Sequence, residues 1–276
     1  MKIIKHSGAI VDFNRSKLKL SLLKSGATQA IVNDILHLIE KEVYDGISTK
    51  QIYKMAFGLL KKTSNSHAAQ YNLREAIRLL GPAGFFFEKF IARLFISEHY
   101  ETKIDLILRG KCVSHEIDVL IKNNNIISMV ECKFHTGRDA TTDVKVPMYI
   151  LSRFNDLKEK KHEIFSRNDT ISKCWIVTNN RFTSDAIDFA KCSDLNLLCW
   201  NYPESNNLKN KIDNRQLYPV TCLTTLTLSE KEKLLILDII LVREIIDNRL
   251  VLEKIGLSSN RIKNVMKEAS ELCRLF

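Results

Sequence analysis

Two runs of alternating apolar and polar residues, His115 to Ile121 and Ile126 to Lys133, flank a cluster of asparagines. They constrain the fold of this chain more than any other feature. An Asn123-Asn124 step suits a two-residue hairpin, in which facing residues have numbers summing to 247. Side chains alternate along a strand, so this register predicts a core face of Ile117, Val119 and Ile121 with Ile126, Val130 and Cys132. The other face gathers Glu116 opposite Glu131, Asp118 opposite Met129 and diagonal to Glu131, and Lys133 two residues beyond. Like charges facing one another destabilise a sheet, so three carboxylates beside one lysine need an offsetting charge. A divalent cation would supply it: carboxylate oxygens are the hard ligands Mg²⁺ prefers, and a water held there can hydrolyse a phosphodiester. A lysine nearby orients that water or neutralises phosphate charge. The solvated face of an ordinary hairpin accounts for the same residues without chemistry.

The surrounding order of elements is helix (Phe85 to Ser97), strand (Lys103 to Leu108), the two hairpin strands, helix (about Val144 to Glu163), strand (Cys174 to Thr178), helix (Ser184 to Cys192) and strand (Leu195 to Trp200). Antiparallel strands first and alternating strands and helices later predict a mixed sheet flanked by helices. Asp118 and Glu131-Cys132-Lys133, placed on the second and third strands of this α-β-β-β-α-β-α-β order, resemble the PD-(D/E)XK motif of restriction-endonuclease-like nucleases. Ile117 stands where that family has its proline. The resemblance covers about residues 83 to 202. It implies metal ligands at Asp118, Glu131 and Cys132, a catalytic lysine at Lys133, and accessory acids at Glu116 and at Glu88 of the first helix. Mg²⁺ or Mn²⁺ is the implied cofactor and DNA the implied partner. Downstream, Lys133 to Arg138 with Lys145, Tyr149 and Arg153 reads as a contact region for the phosphate backbone, and His115 and His135 as ordinary polar residues.

Before this lies a different pattern. Lys2 to His6 and Ala9 to Phe13 are strand-like and joined by Ser7-Gly8; helices follow near Leu18, over Ile31 to Glu42, Thr49 to Lys61 and Ala68 to Leu80. Gly81-Pro82-Ala83-Gly84 then concentrates helix breakers and marks a domain boundary. Lys5-His6-Ser7-Gly8, Phe13-Asn14-x-x-Lys17-Leu18 and Tyr71-Asn72-Leu73-Arg74 resemble the ATP-cone, a regulatory nucleotide-binding module, with His6 in place of the family's arginine. ATP or dATP is then expected at Lys5, His6, Gly8, Lys17 and Arg74, and nucleotide-controlled homo-oligomerisation with it. Of the net charge of +10, residues 1 to 85 supply +7. That excess favours polyanionic partners.

Past a polar connection from Pro203 to Pro219, Ser229-x-x-Glu232 reads as a capping box, and two further helices flank Gly256. Lys254 to Ser259 is similar to a helix-hairpin-helix, with helix packing or dimerisation the plainer role. The expected architecture is an α+β and α/β multidomain chain: an ATP-cone over 1–82, a nuclease domain over 83–215 and a C-terminal helical domain over 216–276. The longest apolar stretches are about half of what a membrane span needs, and the N-terminus has no apolar signal core. Seven cysteines without a C-x-x-C pair read as reduced thiols, so a cytoplasmic protein is expected. The expected function is a nucleotide-regulated, metal-dependent DNA endonuclease, with restriction or defence as its expected use. The rival is a catalytically idle, nucleotide-responsive DNA-binding regulator.

Overall fold

The computed structural model describes residues 1–81 and 84–273; Pro82 and Ala83, in the expected boundary, lie outside them. The chain divides into two compact units, one of residues 1–77 with the segment from Tyr218 on, the other of Arg78–Leu217. The C-terminal helices thus share a unit with the first segment rather than standing as a separate third body.

In the first unit, β1 (Lys2–Ile4) and β2 (Ile10–Asp12) form the expected hairpin, with Gly8 at φ +82° in its turn. Helices α1 (Arg15–Leu23), α2 (Gln29–Glu42), α3 (Thr49–Thr63), α4 (Asn65–Tyr71) and α5 (Leu73–Arg78) follow. Asn14 caps α1 and Ser48 caps α3, each side chain accepting a backbone N–H that the first helical turn leaves unpaired. The single helix expected over Ala68 to Leu80 is therefore two, broken at Asn72. Apolar faces of α2 and α3 bury Val32, Leu36, Ile39, Ala56 and Leu60 against Ile3 and Leu22.

The later helices of this unit are α10 (Leu228–Ile236), α11 (Val242–Asp247), α12 (Leu250–Lys254) and α13 (Ser259–Leu272). The capping box of α10 is Thr227 with Glu230, two residues before the expected Ser229 and Glu232. Buried Thr221 donates its hydroxyl to the Ala76 carbonyl at 2.6 Å, and the Thr224 hydroxyl bonds the Asn65 side chain at 3.2 Å. These bonds join C-terminal residues to α4 and α5.

The second unit is built on a five-stranded sheet in the order β3-β4-β5-β7-β9: β3 (Glu101–Arg109), β4 (Ser114–Asn123), β5 (Ile126–Lys133), β7 (Ile171–Thr178) and β9 (Asn196–Leu198). The first three are antiparallel, and β7 and β9 run parallel to β5. Helices α6 (Phe85–Ser97), α7 (Lys145–Leu157) and α8 (Ser184–Cys192) pack on it, and short β6 (Thr141–Thr142) pairs with β8 (Arg181–Phe182). The polar connection after Pro203 holds an unforeseen helix, α9 (Leu208–Arg215), capped by Asn207.

Burial differs from the one-sided hairpin expected from sequence. Ile117, Val119, Ile121 and Val130 are buried on one face, but Leu120 and Met129 on the carboxylate face are buried as well, in a core with Ile150 and Phe154 of α7. Ile126, placed in the core by its alternation, is exposed. The sheet is a middle layer, so the acids on β4 and β5 sit in a partly dry environment.

Candidate functional site

The observed β4–β5 register differs from the expected one. Val119 faces Val130 and Asn123 faces Ile126, so facing numbers sum to 249 and the turn is Asn124-Asn125. Asn124 takes the left-handed conformation at φ +53°, which asparagine tolerates better than most residues. Moving the turn by one residue keeps both faces but changes every partner. Continued one step past its last pair, this register brings Asp118 rather than Glu116 opposite Glu131, and Met129 faces Leu120 instead of Asp118.

The paired ladder stops at Val119 and Val130, one step short of this pair. In place of a ladder bond, the Asp118 carboxylate accepts the backbone N–H of Cys132 at 2.7 Å. The same discontinuity occurs on the other side of β4: the β3–β4 pairing runs through Ile104–Val119 and Leu106–Ile117 but omits the positions between them, Asp105 and Asp118. Asp105 has φ +55°, a strained value for a residue inside a strand. Register thus lines up Asp105, Asp118 and Glu131 across three neighbouring strands.

Glu131 is the most deeply placed of these acids, at 4% exposure. Its Oε1 receives Lys133 Nζ at 3.1 Å and its Oε2 receives Arg153 Nη1 of α7 at 2.6 Å. Arg153, itself nearly buried, also donates to the Glu116 carbonyl and lies over the Tyr149 ring. A buried carboxylate needs such partners, since an isolated charge in this environment would be expensive.

Glu88, in the first turn of α6, completes the cluster. Burial, then the charge of Asp118, then that of Asp105, push its carboxyl up to about 7. Asp118 is also raised, first by burial and then by Glu131, against the opposing effects of the Cys132 N–H, Lys133 and Arg153. The site therefore carries more negative charge than Lys133 and Arg153 balance.

The other sequence candidates sort by these contacts. Glu116 has an exposed side chain and contributes charge near Glu88, without facing Glu131. The Cys132 thiol is buried and held protonated by that burial, so Cys132 serves the site through its backbone N–H rather than as a thiolate ligand. His115 bonds Asp156 at 2.7 Å, in a carboxylate cradle that also accepts the N–H groups of Cys112 and Val113. His135 bonds the Thr142 hydroxyl at 2.9 Å. Its sequence neighbourhood groups Arg153 with phosphate contacts, but its guanidinium is turned onto the Glu131 carboxylate and the Glu116 carbonyl. Asp105 escaped notice because its importance comes from cross-strand register.

Among the described residues, no three His, Cys, Asp or Glu side chains are arranged to hold a metal ion. Glu88 and Asp118 are raised first by burial and then by their acidic neighbours, and it is this second effect that a divalent cation would relieve.

In the first unit, a cavity of about 330 Å³ opens beside the hairpin. Ile3, Val11, Phe13 and Leu18 give it an apolar wall, and Lys5 and Lys17 give it cations. Apolar side chains suit a base and ammonium groups suit phosphates. Lys5 and Lys17 are thereby brought together, whereas His6, Gly8 and Arg74 do not line the cavity.

Residues 1–77 match the ATP cone domain, and residues 218–273 match the family described as AF1548-like, C-terminal. An uncharacterized protein of Archaeoglobus fulgidus is 31% identical over 183 residues, which cover 66% of this chain and 99% of that relative. The crystal structure of AF1548, a protein of unknown function, is similar at a TM-score of 0.57 and 30% identity, covering 68% of this chain and 97% of that one. A more distant likeness, at a TM-score of 0.29 and 14% identity, is to Can2 from Sulfobacillus thermosulfidooxidans in complex with cyclic tetra-adenylate; it covers 73% of this chain and 54% of that one.

Proposed function

The chain belongs to the AF1548-like family, and on that premise we propose that it is a metal-dependent nuclease acting on DNA and regulated by a nucleoside triphosphate. The observation that carries this reading is the placement of Asp118 opposite Glu131 where the β4–β5 ladder opens, with Lys133 held at 3.1 Å from Glu131. The ATP cone supplies the regulatory half, with ATP or dATP seated between Lys5, Lys17 and the apolar wall.

Asp118, Glu131 and Glu88 would hold Mg²⁺ or Mn²⁺, which when bound supplies charge to offset the phosphodiester and makes a nearby water more acidic. The remaining work falls to the protein. Asp118 is oriented by the Cys132 N–H, so one carboxylate oxygen is fixed before any ligand arrives. Glu131 is fixed from two sides by Lys133 and Arg153. The Lys133 ammonium, more exposed than Glu131, is the donor available to an incoming phosphoryl oxygen, where it stabilises charge that grows in the transition state. Glu88, whose carboxyl burial raises in the metal-free chain, would release its proton on ligating the cation.

A supercoiled plasmid incubated with the chain and Mg²⁺ should be nicked or linearised, and EDTA should stop it. Asp118→Asn, Glu131→Gln and Lys133→Ala should each lower cleavage by about 100-fold or more while the chain remains folded. Full cleavage by Glu131→Gln would refute the assignment. The rival, a nucleotide-responsive DNA-binding regulator, draws on one observation: both Glu131 oxygens already have cationic partners. DNA binding with no cleavage under Mg²⁺ or Mn²⁺, with or without ATP and dATP, would favour it.

A further inference from the structure

A cavity of about 1000 Å³ lies wholly in the first unit, between the α3–α4 corner and α13. It is distinct from the hairpin cavity in both place and chemistry. Lys61 and Lys62 line one side and Lys267 the other, with hydroxyl and amide groups such as Ser64, Asn65 and Asn264 between. Among the described residues, polar and charged side chains make up its lining. Phosphates would find cations and hydrogen-bond donors on both sides of it.

Its acids are partly committed elsewhere. Glu268, 1% exposed, accepts the N–H groups of Thr224 and Thr225 at 2.7 and 2.9 Å and the Thr225 hydroxyl at 2.6 Å. It thus holds the 224–225 turn in place. Glu271 receives the Ser66 hydroxyl at 3.4 Å and lies 4.0 Å from Lys267. His67, which also lines the cavity, has a buried Nδ1 with no hydrogen-bond partner among the described residues. The unit as a whole is basic: residues 1–77 and 218–276 hold 21 Lys and Arg against 14 Asp and Glu, +7 of the chain's +10.

From the cations on two walls and the basic charge of the unit around them, we infer that this groove binds the phosphodiester backbone of DNA. It is a sequence-independent holding site made jointly by the ATP cone and the C-terminal helix, with Lys62 and Lys267 as its principal contacts. Neither wall alone supplies both cations, which gives α13 a reason to share a unit with the cone. The inference rests on the reading that DNA is the polymer this chain acts on, and it adds where the backbone is gripped outside the carboxylate site.

The test uses the full chain in EDTA, so that cleavage does not consume the probe, and a fluorescein-labelled DNA duplex read by anisotropy across a salt series. Each phosphate contact contributes about 0.9 to the slope of log affinity against log salt. Lys62→Ala with Lys267→Ala should therefore lower that slope by about two and weaken binding roughly 10- to 30-fold near 0.15 M salt. The loss should be equal for two unrelated sequences. Glu271→Gln should strengthen binding, because it removes a like charge from the groove. Lys5→Ala with Lys17→Ala should leave DNA affinity unchanged while weakening ATP binding, measured by calorimetry, by more than about tenfold. An unaltered slope in the Lys62/Lys267 variant overturns the groove, and if plasmid cleavage persists the nuclease reading survives it. A DNA affinity that falls with Lys5 and Lys17 instead also overturns it. A wild-type chain that binds no DNA overturns both.

Discussion

Arg153→Met is the perturbation that tests the carboxylate site most sharply, because it leaves the three motif residues untouched. Methionine keeps much of the apolar stem of arginine while deleting the guanidinium. Glu131, with 5% side-chain exposure, would then keep Lys133 at Oε1 and lose its partner at Oε2. Removing one partner of a buried ion pair costs about 3–5 kcal/mol when the other charge is left alone. Lys133 remains here, although it is 36% exposed and hydrated, so the expected loss is about 2–3 kcal/mol. In a Glu131→Gln background there is no charge to strand, and the same substitution should cost less than about 1 kcal/mol. The coupling energy between the two positions is therefore at least about 1–2 kcal/mol. Both tryptophans, Trp175 and Trp200, lie in the unit of Arg78–Leu217, so urea unfolding followed by tryptophan fluorescence reads this unit selectively. The single and double variants should be compared at pH 7 in EDTA. A loss below about 1 kcal/mol for Arg153→Met, or an equal loss with and without the Glu131 charge, would refute the ion-pair account.

Two other expectations concern Glu88 and the nucleotide cavity. With its carboxyl pushed up to about 7 from an ordinary 4.5, folded Glu88 keeps a proton that the unfolded chain has released. Between those values the folded state binds more protons, so the second unit should lose stability as pH rises from about 4.5 to about 7. Urea midpoints in EDTA at pH 5, 6 and 7 should fall in that order and fall less in Glu88→Gln; an equal decline in both chains would contradict the sign or the residue. In the hairpin cavity, Lys5→Ala with Lys17→Ala should weaken ATP and dATP by more than about tenfold, from the loss of two charge-assisted phosphate contacts. It should also remove any nucleotide-dependent change in mass seen by light scattering, leaving the Asp118, Glu131 and Lys133 geometry unchanged.

The faces of the central hairpin were legible in the sequence, and its partners were not. Three consecutive asparagines, Asn123 to Asn125, offer two turns that differ by one residue. Either turn leaves odd positions of β4 on the same face, so alternation alone cannot choose between sums of 247 and 249. Both therefore place Asp118, Glu131 and Lys133 together, which is why the motif was readable despite the slipped register. Burial of both faces was not readable, because Leu120 and Met129 are covered by α7, a helix that begins a dozen residues after the hairpin ends. Arg153 was misread for a related reason. A basic residue near a proposed metal looks like a phosphate contact along the chain, while in space it is the counter-charge of a carboxylate 22 residues away. The α10 cap was displaced because Thr227-x-x-Glu230 and Ser229-x-x-Glu232 carry the same signature, and the backbone uses the first.

Asp105 shows what local pattern could not supply and what the fold adds to the chemistry. Its neighbours Ile104 and Leu106 pair normally with Val119 and Ile117, so the interruption at Asp105 and Asp118 is confined to the acidic pair. The next ladder also ends immediately before Asp118 and Glu131. Like charges on adjacent strands oppose pairing, and here the sheet relinquishes regular hydrogen bonds at those positions on both sides of β4. One of the freed backbone donors, the Cys132 N–H, is turned onto Asp118, converting a broken ladder into an oriented carboxylate. A purely structural hairpin gains nothing from gathering four acids around two cations, since polar or apolar replacements would pair better. The departure from sheet rules coincides with Glu88 and Asp118, the two carboxyls raised by burial and mutual repulsion. Local rules of folding are broken where a site needs charge in a fixed place, and in this unit the break, the raised carboxyls and the anchored lysine meet at one point of the sheet.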